Sequence, residues 1–269
     1  MTRTIIATTD FSDIADNAVR YACQLASDVH AQVTLLHAFV IPVTFSDSPM
    51  PILPLDESRK VAEERMESYR SHLQSEFPGL QIRSQIMYGD VVDCLHELSD
   101  DTTPTLVIMG NSGDDLPIWM GSNLVKALKK LNISVMGVPA GISYTPVRQI
   151  CLTSDLKVSG YDLLAGQLRT LTELTGASLH ILHVNNGNKS AGPDAKDLML
   201  KSLSPMQPQY HEEVNSDIEA GIRDFVNAQQ IDWLIVVPRK YSLLQSMFHK
   251  SQTRAVARVS NIPVIALHE

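Results

Sequence analysis

The chain has 269 residues, 44% apolar and 19% charged, with a formal net charge of −8. That size allows one or two hydrophobic cores. The acidic balance excludes a whole-chain basic footprint for nucleic acid and a polybasic helix for a membrane surface, and no run reaches the ~18–20 apolar residues of a bilayer span.

Thr4–Thr8 is a short apolar run and reads as a buried strand. Ser12 is placed to cap a helix whose Ala18, Tyr21, Ala22, Leu25, Ala26 and Val29 follow the 3.6-residue period. Val33–His37 is the second strand, and Pro42, Pro49, Pro51 and Pro54 mark a long loop. Glu57–Phe77 is a charged helix ended by Pro78-Gly79. Strands follow at Gln81–Met87, Thr105–Met109 and Ser134–Val138, with helices at Val91–Leu98 and Ser122–Leu131 between them. Residues 140–146 form a linker. The order then repeats: strand Gln149–Thr153, a helix capped by Ser159, strand Leu179–Val184, and a weaker strand at Glu212–Val214. Helix Asp217–Ala228, strand Trp233–Val237, helix Ser251–Val259 and strand Pro263–Leu267 complete it. Between Asn185 and Gln209 there is room only for a short helix near 194–203, where the first half has its long one.

Apolar strands alternating with amphipathic helices imply an α/β fold, a parallel sheet covered on both faces. The run Ile5-Ile6-Ala7-Thr8-Thr9-Asp10 returns as Ile150-Cys151-Leu152-Thr153-Ser154-Asp155, 145 residues on. One offset of that length means two copies of a whole domain, expected at 1–139 and 147–269. Exposed edge strands invite pairing. The opening Met1–Thr4 leads into few apolar residues, so no secretory signal is expected. Cys23, Cys94 and Cys151 are scattered, with no Cys-x-x-Cys, and read as small core residues. The expected compartment is the cytoplasm.

After Leu106–Met109 comes Gly110-Asn111-Ser112-Gly113, and later Gly121-Ser122-Asn123 opens a helix. Glycines let main-chain N–H groups approach a phosphate, and a helix start adds unpaired donors. The plainer reading is a tight strand exit and an ordinary helix cap. Ligands of such sheets bind beyond the carboxyl ends of the strands, which places Asp10 and Gly110 on one rim. No Gly-x-x-x-x-Gly-Lys-Ser/Thr, Gly-x-Gly-x-x-Gly or Gly-x-Ser-x-Gly motif is present. His180 and His183, three apart on a strand, face opposite sides and do not suggest a shared metal. His37 and His183 sit at equivalent strand ends and read as structural.

Thr9-Asp10-Phe11-Ser12, the strand ending in His37, and Gly-x-x-Gly followed by Gly-Ser after the fourth strand together resemble the universal stress protein family, over essentially the whole chain as a tandem. The resemblance implies five parallel strands per domain in the order 3-2-1-4-5, helices on both faces, and last strands that meet across the domain interface. It implies a non-catalytic stress-response protein, often ATP-binding. Thr9 and Asp10 match positions that meet adenine and ribose, and Ala38 the main-chain position that reads the adenine edge. Met109, Gly110, Ser112 and Gly113 match the stretch over ribose and phosphates; Gly121, Ser122 and Asn123 match the phosphate donors at the helix start.

Two departures weaken that site. Seven residues separate Gly113 from Gly121, two fewer than the family spacing, and Asp114 and Asp115 stand where a basic residue would help. A carboxylate ~8 Å from a phosphate charge costs ~2 kcal/mol at an effective dielectric near 20 and ~0.5 in water. In the second half Pro238 takes the position of Gly110 and has no N–H to donate. Arg239, Lys240, His249 and Lys250 surround that region, and Ser251 matches Ser122. At most one ATP site, in the first half, is therefore expected. The competing readings are the same fold as a protein-interaction module without nucleotide, and a related nucleotidyl-transferring enzyme, which lacks its His-x-Gly-His here. An intramolecular pairing of the halves is expected, with further self-association left open.

Overall fold

The computed structural model of the chain describes residues 3–40, 55–111, 122–156, 161–187, 194–237 and 262–267. In chain order, the first half forms β1 (Thr4–Thr8), α1 (Asp13–Asp28), β2 (Gln32–Phe39), α2 (Leu55–Glu76), β3 (Ile82–Tyr88), α3 (Val91–Thr102), β4 (Leu106–Asn111), α4 (Ser122–Lys130) and β5 (Val135–Pro139). The second forms β6 (Gln149–Thr153), α5 (Tyr161–Thr175), β7 (Ser178–Asn185), α6 (Ala195–Leu203), β8 (Gln209–Val214), α7 (Ile218–Ala228), β9 (Trp233–Val236) and β10 (Val264–Ala266). The helix expected at Ser251–Val259 and the cap at Ser159 lie outside the described residues.

All ten strands join one sheet in the order β3-β2-β1-β4-β5-β10-β9-β6-β7-β8. Each half thus shows the expected order 3-2-1-4-5. The order is palindromic, and at its centre β5 and β10 pair antiparallel, Val264 opposite Gly137 and Ala266 opposite Val135. All other ladders are parallel. The edge strands expected to meet do so, and each hides the other's unpaired main chain. Because this junction is antiparallel, the carboxyl ends of the strands face opposite ways in the two halves.

Burial explains the local sequence. β1 has two neighbours in its half and is buried at every position, with Ile5, Ile6 and Ala7 apolar between Thr4 and Thr8. The outer strands β3 and β8 carry exposed, charged positions such as Arg83, Glu212 and Glu213. β8 begins at Gln209 rather than Glu212 because its ladder with β7 starts at His180 opposite Gln209. Alternate strand residues divide the core. Ile5, Ala7, Val33 and Leu35 pack with α1 and α2, in a layer continuous with α5 and α6. Ile6, Leu36, Val107 and Met109 pack with α3 and α4 on the other face.

A polar network lies under α7. His180 is 4% exposed. Its Nε2 lies 2.7 Å from Gln149 Oε1 and its Nδ1 3.0 Å from His211 Nε2. The amide oxygen can only accept, so Nε2–H donates to it and Nδ1 accepts from His211. Phe225 packs against both rings. Burial first, and the charge of His211 second, hold the His180 pKa below its ordinary value. The unfolded chain therefore takes up this proton near pH 6.5, and the folded chain only at lower pH. The stabilisation is present above about pH 6.5 and is lost as pH falls through the folded pKa. The urea midpoint is expected to drop between pH 7.5 and 5.5. His180→Gln should cost about 1–3 kcal/mol at pH 7.5 and flatten that drop; an equally steep drop in the variant would assign it to other groups.

Candidate functional site

The strand ends of the first half leave a slot. β1 makes its last pairs at Thr8 opposite Leu36 and Ala7 opposite Ile108. β2 runs on through His37, Ala38 and Phe39, and β4 through Met109, Gly110 and Asn111. With adjacent strands about 4.8 Å apart, β2 and β4 stand about 9–10 Å from each other above the end of β1. This is where the chain switches faces, since α1 and α2 cover one side and α3 and α4 the other. Such a switch point is the usual ligand crevice of an open parallel sheet.

Residues 9–12 form the floor, and their side chains hold its shape. Thr9 Oγ1 accepts from Phe11 N–H at 2.9 Å. Asp10 Oδ1 accepts from Ser12 N–H at 2.9 Å and from Ser12 Oγ–H at 2.5 Å. Ser12 Oγ in turn accepts from Ala15 N–H at 3.3 Å and caps α1. One carboxylate oxygen of Asp10 is thereby fixed to the helix start, while the residue itself stays exposed. His37 Nδ1 lies 2.8 Å from the Thr9 carbonyl oxygen. A carbonyl only accepts, so the neutral ring carries its proton on Nδ1 and Nε2 is left as an acceptor.

Phe11 adopts φ 63°, a left-handed conformation that costs a non-glycine residue about 1–3 kcal/mol. Its ring lies 4.6 Å from His37 and 5.9 Å from Tyr69 of α2. Arg65, also on α2, sets its guanidinium carbon 4.4 Å above the same ring. A cation–π contact at an exposed site is worth about 0.5–1 kcal/mol, against about 1.5–3 for a hydrogen bond to a charged group. The ring therefore positions the guanidinium without holding it fast. Tyr69 is tied down more firmly, its hydroxyl donating to Asp16 Oδ1 at 2.7 Å. Burial works to raise the Asp16 pKa, but Tyr69 and Arg20 together outweigh it and hold the carboxyl below its ordinary value.

The second half repeats this floor closely. Ser154 N–H donates to the Leu182 carbonyl as Thr9 N–H does to Leu36, both at 2.9 Å. Leu156 N–H donates to Ser154 Oγ at 3.1 Å, Leu156 has φ 59°, and His183 Nδ1 lies 2.9 Å from the Ser154 carbonyl oxygen. His37 and His183 are thus the structural clamps expected of them.

The difference lies on the β4 side. A Cβ on Gly110 would sit 2.9 Å from Ile14 Cγ2 and 2.9 Å from the Ile14 carbonyl oxygen. Glycine is needed there so that β4 can pass against the first turn of α1. The ladders also correct the equivalence expected for this position. Ile5 opposes Leu106 and Ile150 opposes Trp233, so counting four residues on places Val237, not Pro238, at the position of Gly110. Pro238 corresponds to Asn111. Val237 is 5% exposed and carries a branched side chain where the first half has none.

Of the residues expected at the site, Thr9, Asp10, Ala38, Met109 and Gly110 come together around the slot. The Met109 side chain is buried among Leu36, Val107 and Ala127, which leaves main-chain groups to face a ligand. Ser122 begins α4, and Asn123 follows it, exposed. Ser112, Gly113 and Gly121 lie outside the described residues, as do Asp114, Asp115, Pro238, Arg239, Lys240, His249, Lys250 and Ser251. Arg65, beside the slot, is not among the expected residues. Its signal was available: Arg59 and Arg70 have Glu63 and Glu67 at helical spacing, while Arg65 has Val61, Ala62, Ser68 and Tyr69.

The universal stress protein family model matches residues 1–139. Among solved structures, the chain is similar to a universal stress protein from Archaeoglobus fulgidus DSM 4304, with a TM-score of 0.72, 17% identity and 98% of each chain covered. It is also similar to a putative universal stress protein from Pseudomonas aeruginosa UCBPP-PA14, with a TM-score of 0.59, 12% identity, and 99% of this chain and 93% of that one covered. At those identities the likeness concerns the fold. No curated protein matches the chain.

Proposed function

The chain belongs to the universal stress protein family, and from that premise we propose that it is a non-catalytic stress-response protein with one adenine-nucleotide site, for ATP, in its first half. The observation that carries this reading is the slot above β1, floored by an Asp10 carboxylate held by Ser12. Asp10 is the acceptor for ribose hydroxyls, and the β2 main chain at Ala38 is the edge for the base. Met109 and Gly110 lie over ribose and phosphates, and Ser112, Gly113, Gly121, Ser122 and Asn123 supply phosphate donors.

The domain limits 1–139 and 147–269 and a cytoplasmic location are part of this proposal. No described helix is long and apolar enough to cross a membrane. Denaturing the purified protein and separating the released small molecules by ion exchange tests the reading. The expected result is co-purified adenine nucleotide, or titratable ATP·Mg²⁺ binding to stripped protein. A second reading, the same fold as an interaction module without nucleotide, draws on Asp114 and Asp115, which follow Gly113 in the sequence. Protein that neither carries nor binds nucleotide would favour it.

A further inference from the structure

We propose that the chain associates head to tail, the outer edge of β3 in one copy pairing antiparallel with the outer edge of β8 in the next. The sheet ends in β3 on one side and β8 on the other, and neither has a second strand neighbour among the described residues. The direction of their main-chain groups follows from the inner ladders. Gln81 C=O and Gly89 N–H both bond β2, so the odd-numbered residues of β3 face inward, and Ile82, Ser84 and Ile86 turn their N–H and C=O groups outward. Asn215 N–H bonds the Asn185 carbonyl of β7, which likewise turns Tyr210, Glu212 and Val214 outward. The two halves run in opposite directions within the sheet. A second copy set beside the first in the same orientation therefore brings its β8 antiparallel to β3.

Charge selects this pairing and its register. β3 carries Arg83 and no acidic residue, while β8 carries Glu212 and Glu213 and no lysine or arginine. Arg83 and Glu213 are both exposed, and neither forms an ion pair among the described residues. With Arg83 opposite Glu213, the outward residues also fall opposite one another: Ile82 and Val214, Ser84 and Glu212, Ile86 and Tyr210. Those three pairs exchange main-chain hydrogen bonds, and Arg83–Glu213 takes a non-hydrogen-bonded place, where cross-strand side chains come closest. Ile86 and Tyr210 both pack on the α2 and α6 layer, so the faces match. Val214, 84% exposed, gains an apolar neighbour. Two β8 edges would instead gather four carboxylates along one seam, and two β3 edges would leave Arg83 without an anion. Because each copy offers a different edge at each end, the contact does not close at two chains.

Sedimentation velocity of the full chain, from low to high micromolar concentration, tests this. The mean mass is expected to rise with concentration beyond that of two chains. Arg83→Glu and Glu213→Arg each set like charges opposite one another and should weaken association about tenfold. The double variant restores an unlike pair in reverse and should return to within about threefold of wild type. Ser84→Pro removes an outward N–H with the β2 ladder intact. It should abolish association while the circular dichroism spectrum and melting temperature stay those of wild type. A mass of one chain at every concentration overturns the proposal. So does association that stops at two chains and ignores Glu213→Arg, which would mark a β3–β3 pair. A double variant no better than the singles would also overturn it, by showing a general charge effect rather than this register.

Discussion

Gly110→Val is expected to destroy the first-half slot, while Val237→Gly is expected to create no second one. The new side chain at 110 would meet not only Ile14 Cγ2 but the Ile14 carbonyl oxygen and carbon, at 2.9 and 3.1 Å. Main chain cannot turn aside as a rotamer can, so the end of β4 or the first turn of α1 must shift. That turn holds Ala15 N–H on Ser12, and Ser12 on Asp10, so the displacement passes directly to the carboxylate. The cost in stability is about 1–3 kcal/mol, as for other overpacked sites, and ATP binding should fall at least a hundredfold. Val237→Gly removes a buried side chain and adds backbone freedom, together about 2–3 kcal/mol. It restores no glycine loop beyond it, since no glycine occurs from Pro238 to Ser251. Titration of the wild type should give one ATP per chain. Two equivalent sites, or undiminished binding in Gly110→Val, would show that the slot has been misplaced.

Trp233→Ala should destabilise both halves at once. Trp233 is fully buried in β9 of the second half. Its indole N–H donates to the hydroxyl of Tyr21, in α1 of the first half, at 2.8 Å. Tyr21 packs edge-on against Tyr144 at 5.3 Å, and Tyr144 donates to Asp28 at 2.5 Å. Asn17 of α1 donates to the carbonyls of Pro139 and Ile142, both at 3.2 Å, so the segment joining the halves is fastened to the same helix. Truncation to alanine should cost about 3–5 kcal/mol. Trp233→Phe keeps most of the volume and should cost about 1–2, chiefly for the lost donor to a buried hydroxyl. Hydrogen exchange gives the discriminating reading: amides of α1 should lose protection together with those of β9. Faster exchange confined to the second half would mean that the shared layer does not couple the two.

The alternation of strands and helices was legible because it depends on local periodicity and punctuation. Ser12 as a cap, the Pro78-Gly79 stop, and the reduced helix near 194–203 all appear in the structure. The length of β8 was not legible. Its first residues are polar edge positions, and only the partner His180 makes them strand. Half of the candidate slot was legible in the same way, since Thr9, Asp10, Met109 and Gly110 end apolar runs. Phe11, His37, Tyr69 and Arg65 were not seen as a group, because they meet across β1, β2 and α2.

The sequence by itself determined the repeat, the α/β class and the strand-one turn, down to a Thr or Ser whose hydroxyl accepts the equivalent main-chain N–H in both halves. The turn follows from residue order over a dozen positions or fewer, and the repeat and the class from comparing such short stretches along the chain. Only the tertiary structure decided that Val237 stands where Gly110 does, that the two sets of strand ends face opposite ways, and that Arg65 lies over Phe11. Each of these depends on register or packing between segments dozens of residues apart. A one-residue shift in a ladder is invisible in a string of apolar residues, yet it exchanges a proline without a donor for a valine with a side chain.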